Sequence, residues 1–236
     1  MKLLRVGVKG KEKPAALDKN GKFRDLSSHI TDLNSDTVNF ETIKKLESID
    51  LESLTEISNS ERIGACINKP GKFVAIGLNY SDHAAESGMD APSEPIVFMK
   101  ATSSINGPND DIEISKDSKE LDWEVELGII IGKDTKNISE KEAENHILGY
   151  CLVNDVSERE WQLKKMGQWV KGKSHACNDE VFSIKSFSTE SLLEVILFRP
   201  ISNRSFSFSS LLIFDFDSLS CSFSLSKSIE YFSFIS

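Results

Sequence analysis

The sequence predicts an α+β fold in which β-strands predominate. Apolar segments of strand length outnumber segments with helical periodicity, the two kinds do not alternate as βαβ units, and no internal repeat is present. The 236 residues are enough for one sizeable core, or for a catalytic domain with a small appendage, but not for three independent domains.

Residues 1–68 are predicted to form a small α+β N-terminal domain, because a linker-like break, Lys69-Pro70-Gly71, follows them. The predicted elements are a strand at Leu3–Val8, a hairpin turn at Lys19–Lys22 around the Asn20-Gly21 pair, and helical segments around Phe40–Ile49 and Leu51–Ile57.

Residues 69–175 are predicted to form the first portion of a catalytic domain that is built mostly from strands. Strands are predicted in FVAIGLNY, PIVFMK, LDWEVELGIIIGK and GYCLVND, helices at YSDHAAES and NISEKEAENH, and an irregular helix or loop in EREWQLKKMGQW. Ser139 and Glu142 have the spacing of a capping box, which predicts that a short helix begins there.

Residues 176–236 form a Ser/Phe-rich tail of different composition. None of the 13 glycines lies beyond Gly172, whereas ten of the 14 phenylalanines lie at or beyond Phe182. Such a segment lacks the residues that normally make tight turns between strands. A shifted reading frame is one hypothesis for this tail, and a genuine but divergent C-terminal extension is the alternative.

The charge balance excludes several kinds of partner. The chain carries 28 basic and 37 acidic residues, and no basic run gives it a surface for nucleic acid or an anionic membrane. No secretory segment or membrane-spanning apolar stretch is present, so a cytoplasmic protein is expected. The four cysteines form no CxxC pair, which argues against a zinc knuckle or a disulfide framework.

Three carboxylates on two predicted strands suggest a metal site. Glu124 and Glu126 are spaced i, i+2, so both side chains share one face of a strand, where like charges repel unless a cation neutralises them. Asp155 ends the strand GYCLVND. Together the three would form an all-oxygen site suited to Mg²⁺ or Mn²⁺. A solvated sheet edge and a turn cap are the structural alternatives.

Two further features could carry chemistry. His83 and Glu86 are spaced i, i+3 in a predicted helix, so the carboxylate could orient the imidazole as a general base, although a surface pair has the same spacing. Lys173 could stabilise a developing oxyanion, and Lys171 is the competing candidate for that role.

Five motifs resemble, in order and approximate spacing, those of the fumarylacetoacetate hydrolase family. They are AIGLNYSDHAAE, PIVFMKATSSINGPNDDI, LDWEVELGIIIGK, GYCLVNDVSEREWQ and GQWVKGKS. The resemblance implies a mixed β-roll catalytic domain preceded by a small α+β domain. It also implies a fold that is incomplete at the C-terminus, because the Asp-Thr-Phe and Gly-Pro-rich turn of the family are replaced by HACNDEVFSIKSFSTES.

The resemblance also implies roles for single residues. Glu124, Glu126 and Asp155 match the family's ligands for Mg²⁺ or Mn²⁺. His83 and Glu86 match a dyad that activates water on a lid over the substrate.

Three more residues match positions that contact substrate. Lys173 matches a lysine that stabilises the transition state, Gln162 matches a substrate-binding glutamine, and Arg159 is a weaker candidate for holding a substrate carboxylate. The site as a whole would therefore bind a small 2-oxo acid.

The implied reaction is divalent-metal-dependent hydrolysis of a C–C bond in a small 2,4-dioxo acid, such as an acylpyruvate or a 2,4-diketo-3-deoxy sugar acid. Its products would be a 2-oxo acid and a carboxylate. Ureidoglycolate lyase, oxaloacetate decarboxylase and 2-oxo acid hydratase or isomerase activities are alternatives within the family, because pocket shape selects the substrate. A truncated, non-catalytic remnant is the alternative from another class. A homodimer is expected if the fold is complete.

Overall fold

The computed structural model describes residues 1–77, 79 and 93–174, together with the backbone of 179–181 and 184–185. The first seven strands are β1 (Lys2–Val6), β2 (Lys13–Leu17), β3 (Phe23–Asp25), β4 (Glu56–Ile57), β5 (Ile63–Gly64), β6 (Val74–Gly77) and β7 (Ile96–Met99). The other seven are β8 (Ile105–Asn106), β9 (Leu121–Asp122), β10 (Val125–Ile131), β11 (Ile147–Asn154), β12 (Ser157–Glu158), β13 (Asp179–Val181) and β14 (Ile184–Lys185).

Helices are short and few in the described part of the chain. The α-helices are α1 (Phe40–Glu47), α2 (Glu140–Ala143) and α3 (Trp169–Lys173). Single 3₁₀ turns lie at Leu51–Ser53, Thr102–Ser104 and Glu144–His146, and a π-helical turn lies at Glu160–Lys164. The fold class predicted from the sequence, α+β with strands predominating, is confirmed.

Ten strands form one mixed sheet. Its order is β4-β3-β2-β1-β14-β11-β13-β8, with β5 beside β1 and β10 beside β11. The pairing of β13 with β8 is parallel and the other pairs are antiparallel. Two smaller sheets consist of β9 with β12 and of β6 with β7. The long β10–β11 pair brings the ends of both strands together, and this is where the candidate site lies.

The predicted hairpin at Lys19–Lys22 is confirmed between β2 and β3. The Asp18 carboxylate accepts hydrogen bonds from the amides of Asn20 (2.8 Å) and Lys22 (2.9 Å), and Gly21 has a φ of +75°, in the left-handed region that favours glycine. The predicted capping box is confirmed as well, since Glu142 accepts from the amide and the hydroxyl of Ser139.

The helix predicted at Leu51–Ile57 was wrong. The Asp50 side chain caps a single 3₁₀ turn by accepting from the Glu52 amide, and the chain then becomes extended. The Thr55 carbonyl accepts from the Asp25 amide, so this segment continues as β4 along β3. Pairing with a neighbouring strand therefore overrides the local helical pattern.

The long strand predicted in LDWEVELGIIIGK is interrupted. β9 ends at Asp122, whose carboxylate accepts from the Trp123 amide at 2.9 Å, and β10 begins three residues later, at Val125. The interruption arises because β9 pairs with β12 in a small sheet whereas β10 pairs with β11 in the large one. Glu124 lies in the break, and Glu126 lies inside β10.

A core in the first 50 residues is completed by one residue of β11. Its buried members are Leu3, Ala16, Leu26, Ile30, Leu33, Val38, Ile43, Leu46 and Leu148. Leu148 joins the N-terminal residues to the strand that leads into the candidate site. The division of the chain at residue 68 remains a prediction.

Replacing Leu33 by alanine is expected to lower the free energy of unfolding by about 2–5 kcal/mol, because it leaves a cavity at a fully buried position. Urea denaturation followed by circular dichroism measures this loss. Ile114→Ala is the control, since Ile114 is 64% exposed and should change the free energy by about 0.5 kcal/mol or less. Equal losses in the two variants would contradict the position of this core.

Cys66 and Cys151 are free, buried thiols that pack in one apolar cluster with Val153. Burial raises the pKa of the Cys66 thiol, and the contact with Cys151 adds to this effect. The other two cysteines, the predicted helix at YSDHAAES and most of the Ser/Phe-rich tail lie outside the described residues. Within the described residues, no helix combines the length and the apolar character needed to cross a membrane.

Candidate active site

The strand register brings three acidic residues together. Val125 of β10 pairs with Asn154 of β11, so Glu124 and Asp155 are neighbours just outside the two strand ends. The Asp155 amide donates to the Glu124 carbonyl at 2.7 Å, and the Glu124 amide donates to the Asn154 side chain at 3.2 Å. Glu126 extends from within β10 toward the same place.

Glu124, Glu126 and Asp155, here called the acidic triad, offer a donor set that fits a hard divalent cation. Each residue supplies one carboxylate oxygen, and these oxygens lie within 4.8 Å of one another. Asp155 is buried and the two glutamates are half-buried, so water screens their mutual repulsion only in part. Hard cations such as Mg²⁺ and Mn²⁺ prefer oxygen ligands of this kind.

Lys173, the last residue of α3, contacts two members of the triad. Its Nζ donates to Glu124 Oε2 at 2.7 Å and to Asp155 Oδ2 at 3.0 Å, and it lies 5.2 Å from the centre of the Phe98 ring. The side chain is almost fully buried. The sequence offered Lys171 and Lys173 as candidates for this role. Of these two described residues, Lys173 is the one whose ammonium group contacts the triad.

Arg159 and Gln162 lie together beside Glu124. The Arg159 guanidinium lies 2.5 Å from Glu124 Oε1, donates to Asp122 Oδ2 at 2.8 and 2.9 Å, and donates to Gln162 Oε1 at 2.9 Å. Burial lowers the pKa of Arg159, but the charge of Glu124 and the hydrogen bonds with Asp122 outweigh it and raise this pKa overall. Their roles in substrate binding remain predictions.

Sequence reasoning missed Lys100, which follows β7 and is 2% exposed. Its Nζ contacts Asp155 Oδ1 and donates to the Val156 carbonyl at 3.1 Å. A lysine directly after the apolar strand PIVFM is the one sequence signal for this position. Lysines also flank strands at the surface, so the signal does not distinguish a buried ammonium from a solvated one.

Glu158, on β12, is a fully buried carboxylate that holds the chain before Asp122 in place. It accepts hydrogen bonds from the Ser118 hydroxyl and from the amides of Lys119 (3.1 Å), Glu120 (3.1 Å) and Glu160 (3.2 Å). Burial raises the pKa of Glu158, but these hydrogen bonds outweigh it and hold the pKa below its usual value.

Glu158→Gln is expected to lower the free energy of unfolding by about 1.5–3 kcal/mol at neutral pH, the range for hydrogen bonds to a charged group. Because the folded-state pKa is depressed below 4.5, the stabilisation is present above that pH and is lost as pH falls through the folded pKa. The difference between wild type and variant should therefore shrink from about pH 7 to about pH 3 in urea titrations. A difference that stays constant over this range would contradict the assignment.

His83 and Glu86 lie outside the described residues, so the structure does not report on the predicted dyad. An open apolar groove lies between two described segments. Its walls are Ile96–Met99 on one side and Gly167–Val170 on the other. Trp169 packs edge-on against Phe98, with ring centres 5.5 Å apart, and Phe98 is also the ring that Lys173 approaches. Phe98 is thus shared by the groove and the surroundings of the Lys173 ammonium.

Comparison with known proteins gives three kinds of match: a family model, curated relatives and solved structures. A family model described as fumarylacetoacetate (FAA) hydrolase C-terminal matches residues 72–178. A protein of Burkholderia ambifaria named "Putative hydrolase" is 56% identical over 173 residues, which are 73% of this chain and 61% of that protein. The chain thus spans 61% of the length of the curated relatives that it matches.

Solved structures show the same fold. The fumarylacetoacetate hydrolase from Exiguobacterium antarcticum is 29% identical, with a TM-score of 0.65 over 79% of this chain and 66% of that chain. The 5-carboxymethyl-2-hydroxymuconate delta-isomerase from Mycobacterium smegmatis is 27% identical, with a TM-score of 0.57 over 81% of this chain and 68% of that chain.

Proposed function

Residues 72–178 place this chain in the fumarylacetoacetate hydrolase family, and from that premise we propose that the protein is a divalent-metal-dependent hydrolase of small 2,4-dioxo acids. An acylpyruvate or a 2,4-diketo-3-deoxy sugar acid would be cleaved to a 2-oxo acid and a carboxylate. The observation that carries the proposal is the convergence of the acidic triad with the buried Lys173. The family resemblance of the five motifs is confirmed, and the substrate is the new element of the proposal.

The acidic triad is proposed to hold Mg²⁺ or Mn²⁺, for which its three oxygens within 4.8 Å are a suitable donor set. When bound, such an ion supplies Lewis acidity to the oxygens of a 2-oxo acid.

The remaining roles fall to side chains of this chain. His83, oriented by Glu86, would take a proton from the water that attacks the distal carbonyl, and the carbon released by C–C cleavage would receive a proton in turn. Lys173 would stabilise the oxyanion that forms at the attacked carbonyl, because it is a buried ammonium close to the triad. Gln162 and Arg159 would orient the substrate carboxylate.

The apolar groove of Ile96–Met99 and Gly167–Val170 is proposed to receive the acyl portion of the substrate, because its lining residue Phe98 lies beside Lys173 and most of its lining side chains are apolar. We further propose that the protein acts as a cytoplasmic homodimer on small molecules alone. The division into an N-terminal domain (1–68), a catalytic portion (69–175) and a tail (176–236) is part of the same proposal.

Turnover of an acylpyruvate by the full chain tests the proposed function. Hydrolysis is expected with Mg²⁺ or Mn²⁺. EDTA should lower the rate at least about 100-fold, since the ion supplies charge stabilisation worth several kcal/mol. Re-addition of the ion should restore it. Turnover that is indifferent to the chelator would contradict the metal assignment, and no turnover of any 2,4-dioxo acid would contradict the substrate class.

Isomerisation of a 2-oxo acid is the second candidate function. It is favoured by the structural match to a protein named as a delta-isomerase, which is 27% identical to this chain. Product analysis distinguishes the two reactions: hydrolysis releases a carboxylate and a 2-oxo acid, whereas isomerisation leaves the carbon skeleton intact.

A further inference from the structure

Lys100 is a buried cation at the base of the acidic triad. Its backbone amide donates to the carbonyl of Phe73, next to β6, at 3.0 Å. The next amide along the chain, that of Ala101, donates to Ser174 Oγ at 2.8 Å. The Lys100 backbone is thereby fixed between β6 and the end of α3. A lysine side chain that is only 2% exposed is stable when its ammonium has charged or polar partners.

Lys100 and Lys173 each contact a different carboxylate oxygen of Asp155. Lys100 Nζ contacts Oδ1 and also donates to the Val156 carbonyl at 3.1 Å, whereas Lys173 Nζ donates to Oδ2 at 3.0 Å. The Val156 contact fixes the ammonium to the backbone just after Asp155. Rotation of the Asp155 carboxylate away from this position would break the contact between Oδ1 and Lys100 Nζ.

We propose that Lys100 is a positioning residue for Asp155: it orients this carboxylate so that Oδ2 shares the Lys173 ammonium with Glu124, and it balances one negative charge of the triad. The part of this inference that concerns metal binding rests on the proposed function, in which the triad holds a divalent cation. Hydrogen-bonded partners of a ligating carboxylate typically affect metal affinity strongly, by about 10–100-fold when they are removed.

Mn²⁺ affinity of the full 236-residue chain, measured by titration calorimetry, tests the proposal. Lys100→Met is expected to weaken Mn²⁺ binding about 10–100-fold, and Lys100→Arg, which keeps a cationic donor, should recover most of that loss. Lys119→Met is the control, because the Lys119 side chain is 72% exposed, and its affinity should equal that of the wild type. Wild-type affinity in Lys100→Met, or tighter binding, would overturn the proposal.

A second measurement needs no metal and separates this proposal from the proposed function. In the metal-free protein, Lys100→Met should lower the melting temperature, and Asp155→Asn in the same chain should recover part of that loss, because the negative charge that Lys100 balanced is then gone. If Lys100→Met does not fold, the double variant should. Additive losses, or failure of the double variant to fold, would overturn the pairing even if the wild type binds Mn²⁺. Absence of Mn²⁺ binding in a folded wild type would contradict the proposed function and, with it, the metal-directed part of this inference.

Discussion

Replacing Lys173 by methionine is expected to lower kcat for acylpyruvate hydrolysis by about 10²–10³-fold, the usual effect of removing one group that stabilises an oxyanion. Methionine is close to lysine in length but carries no charge. The loss should appear mainly in kcat, because the developing oxyanion exists only in the transition state. Steady-state kinetics with Mg²⁺ at saturation measures it.

Lys171→Met is the matched control for this prediction, since Lys171 lies on the same short helix and, of these two lysines, Lys173 is the one that contacts the triad among the described residues. The control should retain kcat within about twofold, because the half-buried Lys171 makes no contact with the triad in the structure. Circular dichroism of both variants verifies the fold. Equal losses of kcat in the two variants, or a Lys173→Met effect confined to KM, would contradict the role of Lys173.

Replacing Gly172 by alanine is expected to displace α3 and to lower both stability and activity. A Cβ at this position would lie 2.5 Å from the Gln162 amide nitrogen and closer still to the Glu158 carbonyl oxygen. Both are backbone atoms, so a side-chain rotation cannot relieve the contact. We expect a loss of about 1–3 kcal/mol in the free energy of unfolding, as for other overpacked sites.

The activity loss in Gly172→Ala should be larger than the stability loss implies, because the next residue is Lys173. A displacement of about 1 Å at a catalytic group can lower the rate about 100-fold. Gly71→Ala is the control, as an added Cβ there meets no atom within 4 Å. Gly172→Ala with wild-type kcat and wild-type stability would contradict the close packing of α3 on β12 and the π-helical turn.

Two local hydrogen-bonding signals in the sequence predicted local structure correctly, whereas the local helical pattern at Leu51–Ile57 did not. The Asn20-Gly21 pair predicted the hairpin, and Ser139 with Glu142 predicted the start of α2, because each feature depends on hydrogen bonds within a few residues. The proximity of Glu124 and Glu126 followed from strand periodicity. Asp155 was predicted as the end of the strand GYCLVND, and the structure places it one residue beyond β11, which pairs with β10.

Features set by distant partners could not be predicted in the same way. The break between β9 and β10 exists because the two strands pair in different sheets, which the continuous pattern LDWEVELGIIIGK does not encode. Lys100 is buried because Asp155 lies 55 positions further along the chain and compensates its charge. Because a single sequence does not reveal contacts between distant residues, it gives no reason to distinguish Lys100 from the other lysines.

Titration of the full chain with Mn²⁺ by calorimetry tests the central claim that the acidic triad binds a divalent cation. The account predicts one ion per chain for the wild type and for Glu113→Gln, a variant of an exposed glutamate, and strongly weakened binding for Glu126→Gln. Wild-type protein that folds but binds no Mn²⁺, or Glu126→Gln protein that binds it as tightly as the wild type, would contradict the claim.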